Sequence, residues 1–416
     1  MKKQISRRGF VSASGMIATY SSVAAQVPPA RVSDDDPLGV RKDFPATGDY
    51  TYLNTAYIGL ISQAVVDAAR QWTETRARRP YSVGQMEAKT DEARKLFAEM
   101  VGAGADEIGF LYSTSEGENV VVNSLDFQPG DNVVFDDIAY PSTPVIYRRL
   151  EKTHGVEMRI VKNRNGAGTV EDFAKLVDKR TRIISVAWVS NTSGHRHDMK
   201  GLADLAHSHG AYLYADAVQF IGTAPLNVRA VGVDFFTTGT YKWLMAGFGV
   251  APFYVRRELL DRVHPANVGW IVEKSLPNFG YQHYRTAKKF EFSSLAFGQL
   301  YELAAALAYL KRIGLDKVEA QSQSLAQQLR KGLSDRGFLV FTPEGNHSSI
   351  VSFYTKKAPR EIQKLLDAER IKVSLQGNEA NENETAMMRI RVAPAFFNNS
   401  AEVKRFLKLS EQLMTA

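Results

Sequence analysis

A lysine followed by a glycine-rich turn is the most reactive-looking feature of the chain. It lies in Asp234-Phe-Phe-Thr-Thr-Gly-Thr-Tyr-Lys242-Trp-Leu-Met-Ala-Gly-Phe-Gly-Val250. The apolar run before it reads as a strand, so Lys242 stands at a strand end. Lysines are rarely fully buried without a reason. One held in a partly dry pocket has a lowered pKa and becomes a nucleophile for aldehydes. A surface lysine at a strand end fits this segment alone equally well, so the residues upstream decide.

Tyr212-Leu-Tyr-Ala-Asp216-Ala-Val-Gln219 is an apolar run that ends in an acid, the form of a buried strand delivering a carboxylate. An aspartate against a pyridine nitrogen keeps that nitrogen protonated and makes the ring an electron sink. Pyridoxal 5'-phosphate (PLP) is the biological aldehyde that would use both groups. Gln219 lies three residues on, within reach of a ring phenolic oxygen. A helix cap at Asp216 and a surface amide at Gln219 are the plainer alternatives.

Three more strand-to-turn junctions have polar ends. Arg182 to Gly194 puts Asn191 where a strand meets a loop, a favoured ligand position in open α/β sheets, although Asn is also a common turn residue. Glu107 to Val122 reads as strand, polar turn and helix. Thr114 and Ser115 there lie at a helix start, where free N–H groups and the helix dipole attract phosphate; an ordinary cap looks the same. Gly130 to Ser142 places Tyr140 after another strand. Its ring could stack on a cofactor or belong to the core or its rim.

With these residues in order, the sequence resembles the class V aminotransferases of the fold-type I PLP enzymes. That group includes cysteine desulfurases, isopenicillin N epimerase-like proteins and kynureninase. The matching elements are Thr-Ser-Glu-Gly-Glu-Asn at 114–119, Gly-Asp at 130–131, Ser-Asn at 190–191, Asp-Ala-Val-Gln at 216–219 and Tyr-Lys-Trp-Leu at 241–244. Asn191 precedes Asp216 by 25 residues, and Asp216 precedes Lys242 by 26.

The resemblance implies that Lys242 is the Schiff-base lysine and Asp216 the ring-nitrogen partner. Gln219 then meets the phenolic oxygen, and Tyr140 takes the ring-stacking place that is a histidine in the desulfurases. Thr114 and Ser115 become phosphate ligands, and Asn191 a cofactor contact. Thr240 and Tyr241 stand where desulfurases carry Gly-His, with Tyr241 a phosphate ligand. Gly239 replaces a serine of that family. Ser294, in Phe290-Glu291-Phe-Ser-Ser294, takes the place of a threonine that reaches the neighbouring subunit's phosphate, so a homodimer is implied. Arg391, in Met388-Arg389-Ile-Arg391-Val-Ala-Pro-Ala-Phe-Phe-Asn398, takes the place of the arginine that binds the substrate carboxylate. A guanidinium suits that task through two parallel charge-assisted bonds. The plainer alternative is an edge strand with exposed arginines.

The elements that must position these residues follow from pattern. Strands are expected at 133–135, 158–161, 183–189, 211–215, 234–238 and 249–255, alternating with helix-like segments. The expected fold is α/β: a large PLP-binding domain with a mostly parallel seven-stranded sheet covered by helices, plus a smaller C-terminal α/β domain. Residues 45–297 form the first and 298–416 the second. Leu300–Ile313 and 316–333 read as helices; 338–341, 349–353 and 389–392 read as strands. Residues 375–386 read as a mobile loop.

The N-terminus carries a separate message. Ser6-Arg7-Arg8-Gly9-Phe10-Val11 is a twin-arginine pattern, followed by a mildly apolar run and Val23-Ala24-Ala25. Residues 1–25 are therefore expected to be a signal peptide, with 26–44 a linker or arm. The implied destination is the periplasm, reached already folded through the twin-arginine machinery with cofactor in place. The run is too short to span a membrane. Removing residues 1–25 lowers the formal charge from +7 to +3. No basic block remains to suggest nucleic acid. Asp34, Asp35 and Asp36 read as a solvated acidic linker.

Cysteine is absent. That excludes disulfides and any mechanism that holds sulfur on an enzyme thiol. His195 and His197 share a loop without a third ligand, so no metal is expected. The favoured reaction is transaminase-type chemistry on the amino group of an amino acid or peptide metabolite. Epimerisation and C–S or β-elimination use the same residues, and a non-catalytic PLP-fold binding protein is the reading from another class. Periplasmic proteins that resemble this chain tailor secreted peptide siderophores, which makes such a peptide one candidate substrate.

Overall fold

Short runs of buried, mainly apolar residues make most of the strands. In the computed structural model, which describes residues 33–377 and 387–414, seven of them form one sheet. They are β1 (Ile108–Leu111), β2 (Asn132–Asp136), β3 (Glu157–Val161), β4 (Thr181–Ala187), β5 (Tyr212–Asp216), β6 (Phe235–Thr237) and β7 (Ala251–Val255). Their spatial order is β1-β7-β6-β5-β4-β2-β3. Only β7 runs antiparallel to its neighbours. The C-terminal ends of the other six therefore share one edge, which is where ligands bind in such sheets.

Both faces of this sheet are covered, which is why its strands lack a polar alternation. Ile184, Val186, Leu213, Ala215 and Phe236 belong to one core. Val133, Phe135, Ile183, Tyr214 and Phe235 belong to another. The helices α1 (Gln63–Arg78), α2 (Val83–Val101), α3 (Thr114–Asn123), α4 (Ser142–His154) and α5 (Met199–Ser208) have local reasons for their ends. Ser82 and Gln85 form a capping box at the start of α2, and Gly102 ends it in a left-handed conformation. Ser113 caps α3 by accepting from the Glu116 N–H. Thr114 and Ser115 are therefore the first residues inside α3, not its cap.

A second, four-stranded antiparallel sheet has the order β8-β9-β11-β10, with β8 (Leu339–Val340), β9 (Val351–Thr355), β10 (Ser374–Gln376) and β11 (Met388–Val392). Its core joins Phe353, Ile390 and Val392 to residues of α7 (Leu315–Asp335), α8 (Pro359–Ala368) and α9 (Ser400–Ser410). The long α6 (Phe297–Ile313) puts Leu300, Leu303 and Leu307 into the same core as Phe97 and Val101 of α2.

Three placements differ from the sequence reading. Residues 374–376, expected partly as loop, pair with Arg389–Arg391; residues 378–386 lie outside the described residues. The acidic segment 34–36 is not simply solvated. The Asp36 carboxylate accepts from the Val40 and Arg41 N–H groups, and the Asp35 carbonyl accepts from Asn399. Residues beyond it dock as well: Arg41 pairs with Glu402, and Phe44 packs against Tyr309, Phe396 and Phe397. The third placement concerns residues 51–54. Thr51 and Tyr52 pair with Ile371 and Lys372, and Asn54 bridges to Ala393. The N-terminal part of the chain thus reaches the strands of the C-terminal part. The expected signal peptide, 1–25, lies outside the described residues.

Candidate active site

The shared edge of the large sheet gathers most of the expected site. Asp216 ends β5, and Lys242 lies in the turn after β6. Asn191 follows β4, Tyr140 follows β2, and α3 begins just after β1. Lys242 is 7% exposed and Asp216 is 9% exposed. Burial pulls the Lys242 ammonium down to about 8; the Asp216 charge opposes that fall and Arg391 adds to it. Burial likewise raises Asp216, against the Val218 N–H bond and the charge of Lys242. An amine that burial makes easier to deprotonate, with a buried acid near it, is the arrangement an aldehyde-trapping lysine needs.

The lysine turn is tightly braced. Thr240 is fully buried, and its hydroxyl faces the Gly247 and Val250 carbonyls. It closes the turn and does not face the site. The Gly59 N–H donates to the Tyr241 carbonyl. A Cβ on Gly59 would fall 1.9 Å from the Lys242 carbonyl oxygen, so only glycine fits there. Sequence reading missed this contact, because nothing around residue 59 points to residue 242.

Aromatic rings line the mouth. Tyr241 stacks on Phe248 at 4.2 Å between centroids. The Lys242 Nζ lies 5.6 Å from the Tyr241 ring. Burial raises the Tyr241 hydroxyl, with Tyr140, Asp216 and Tyr57 close enough to raise it further. Tyr140 is 43% exposed, a rim position that fits a ring stacking on a bound ligand.

Gln219 is buried, and its amide is largely used. It donates to the Ala56 carbonyl and accepts from the Trp243 indole. One amide hydrogen remains for a ligand. Arg391 is buried as well. Its Nη1 donates to the Asn191 carbonyl at 3.0 Å, while its Nε and the Asn191 Oδ1 have no hydrogen-bond partner. Burial, with Arg389 nearby, pulls the guanidinium down to about 10, so it stays charged at neutral pH. The open Nε–H of Arg391 is a donor that a ligand's carboxylate would take, while the Asn191 Oδ1 is an acceptor open to a ligand's N–H or O–H.

Thr114 and Ser115 open α3, whose first N–H groups have no intrahelical partners. The Tyr214 hydroxyl holds the Thr114 carbonyl. Gly117 brings α3 against β6 so closely that a Cβ there would meet Thr237 Oγ1 at 1.9 Å. Glu116 folds back to accept from the Tyr112 N–H, which keeps its charge bonded to the strand end. Ser294 is exposed, in a groove with Tyr112, Glu116 and Gly249. It is not brought together with Lys242 in this chain. His195 and His197 are engaged elsewhere: His195 faces the Gly168 carbonyl, and His197 bridges Asp136 and the Ala187 carbonyl.

The Lys242–Asp216 pair, the open positions on Arg391 and Asn191, and the start of α3 fit PLP. Together with the sheet they define a PLP-dependent enzyme. The chain belongs to the aminotransferase class-V family, whose family model matches residues 52–406. It is 27% identical to a probable cysteine desulfurase of Pyrococcus abyssi, over 91% of this chain and 98% of that one. The apo cysteine desulfurase of Thermococcus onnurineus has the same fold, with a TM-score of 0.81 and 27% identity, covering 92% of this chain and 99% of the other. The fold is also that of C-DES, solved with its PLP cofactor (TM-score 0.80, 20% identity, 89% of this chain and 99% of that one).

Proposed function

We propose that this enzyme acts on the amino group of a carboxylate-bearing amino acid or peptide metabolite by transaminase-type chemistry. The observation that carries the reading is the buried Lys242–Asp216 pair beside an Arg391 with open hydrogen-bond positions. PLP, when bound, supplies the electron sink for charge that develops at the substrate's α-carbon. Asp216 holds a negative charge against the ring nitrogen. Arg391 would orient the substrate carboxylate, and Asn191 would contact the cofactor. Lys242 would hold the cofactor through its amine and, with that amine free, would serve as the base for the substrate's α-proton. Its lowered pKa suits that work near neutrality.

A second reading is elimination of a β-substituent, as in a C–S lyase. It is favoured by the relatives that carry the name cysteine desulfurase. The chain has no cysteine, so sulfur removed here would leave with the product and would not pass to an enzyme thiol. Epimerisation would need a second proton donor on the face opposite Lys242.

The twin-arginine pattern supports a periplasmic location, with the folded protein exported after loading. No helix among the described residues is long and apolar enough to cross a membrane. The exposed Ser294 supports a homodimer in which it reaches the partner's phosphate. Siderophore-type peptides stand among the candidate substrates. A non-catalytic role is disfavoured by the retained Lys242 and Asp216.

The test is chemical. Borohydride should fix PLP to Lys242, and Lys242→Ala should abolish that adduct. Single-turnover spectra with candidate amines then separate the readings. Conversion to pyridoxamine phosphate marks transamination, and release of ammonia with a keto acid marks elimination. An adduct that persists in Lys242→Ala would end the proposal.

A further inference from the structure

Glu118 has no task in the reading above. It follows Gly117 in α3 and is 3% exposed. Its carboxyl sits between two hydroxyls. Thr143 Oγ1, in the first turn of α4, donates to it at 3.0 Å, and Ser185 Oγ of β4 donates at 2.7 Å. Ser185 lies opposite Tyr214, and Ala187 lies opposite Asp216. Side chains alternate along a strand, so Ser185, Tyr214 and Asp216 share one face. Glu118 is thus set against the sheet one pleat below the ring-nitrogen acid.

The groups that face Glu118 are Thr143 and Tyr147 of α4, Ser185 of β4, and Tyr214 and Asp216 of β5. None is cationic. A buried carboxylate without a counter-charge is costly, and two carboxyls in one dry space do not both ionise readily. Asp216 has the Val218 N–H and the charge of Lys242 to support a negative charge. Glu118 has hydroxyls, which can reverse and accept. The same heavy-atom network therefore serves a neutral acid. Burial raises Glu118 to about 7; the Ser185 and Thr143 bonds oppose the rise, and the Asp216 charge adds to it.

We propose that Glu118 is a positioning residue for the ring-nitrogen acid: it is the protonated member of a buried carboxyl pair, and by keeping its proton it leaves the negative charge on Asp216. Its two hydrogen bonds also tie the start of α4, and with it Tyr140 two residues earlier in the chain, to the strand beneath the site. This rests on the reading of Asp216 as the ring-nitrogen partner. Ionisation of Glu118 would place a second negative charge below Asp216 and make the ring nitrogen's proton harder to lose.

The experiment starts with cofactor-free protein. Infrared difference spectra between wild type and Glu118→Gln should show a carboxylic-acid C=O band that disappears as pH rises through about 7. Melting temperatures give a second readout. An unfolded carboxyl ionises near its ordinary value while the folded one stays neutral, so wild type loses stability as pH rises to about 7. The advantage of Glu118→Gln should grow over that range and then level off. Thr143→Val removes one donor and should move the midpoint upward; it serves where Glu118→Gln folds poorly. In the PLP-loaded protein, the matching inflection in the visible spectrum should vanish in Glu118→Gln. Parallel melting curves, no acid band at pH 5, or an unchanged spectral titration would overturn the assignment. Failure of the borohydride adduct would instead reject the PLP reading, and the cofactor-free titration would still judge Glu118.

Discussion

Lys242 and Asp216 are both buried and close enough to feel each other's charge, yet no ion pair joins them. The Asp216 carboxylate is held from below by the Val218 N–H at 3.0 Å. The lysine is thus reactive while its counter-charge is kept at a distance.

The first consequence is a pH profile for cofactor capture. Burial lowers the Lys242 ammonium to about 8, and only the neutral amine attacks an aldehyde. The rate at which apo-protein takes up PLP should therefore rise with pH and level off above about 8. Stopped-flow absorbance checks this. A profile that keeps climbing towards the ordinary lysine value would contradict the dry pocket.

Asp216→Asn keeps the shape of the acid and removes its charge. PLP should still bind and react with borohydride. Turnover should fall on the order of 10²–10³-fold, as for loss of a preorganised electrostatic contact. Rates within a few fold of wild type would show that the ring nitrogen does not depend on this acid.

Arg391→Lys keeps the charge and loses the planar fork. Charge-assisted hydrogen bonds contribute roughly 1.5–3 kcal/mol each, so loss of one should raise KM for carboxylate substrates by about 10- to 100-fold. PLP binding should change little. A fall in kcat at constant KM would instead place Arg391 in the chemical step.

Stability has its own test. Arg94 Nη1 meets Glu291 Oε1 at 2.7 Å, and that same oxygen accepts from the Phe110 N–H. Both side chains are buried. Glu291→Leu removes the buried counter-charge of Arg94, leaving it the Ile108 carbonyl and the exposed Asp91, and should cost about 3–5 kcal/mol in denaturant unfolding. Arg94→Met combined with Glu291→Leu should recover much of that loss. A single variant as stable as wild type would show that water reaches Arg94.

Much of this was legible in the sequence. Most of the strand segments from 133 to 255 are apolar on both faces, so they stood out as runs; the edge strand at 157–161 is the exception, with Glu157 and Ile160 exposed. Lys242, Asp216, Asn191 and Tyr140 follow such runs, and the shared edge of the sheet brings them together. What was hidden depends on contacts between distant residues. Gly59 against Lys242, residues 51–54 beside residues 371–372 and 393, and the docked arm at Asp36 leave no local periodicity. Thr240 is a cofactor contact only by its place in the resemblance; its bonds to the Gly247 and Val250 carbonyls show it closing a turn. Glu118 sat in plain view within a matching motif, but its burial against Ser185 and Thr143 depends on strand register.

The strand pairing of Thr51 with Ile371, and the bridge from Asn54 to Ala393, tie the approach to Gly59 to parts of the polypeptide made last. Gly59 in turn abuts the Lys242 carbonyl. A nascent chain still missing its final strand would have no fixed backing for its lysine loop. Loss of the segment at 51–54, or of its partners at 371–372 and 393, should therefore slow the capture of vitamin B6 aldehyde by Lys242.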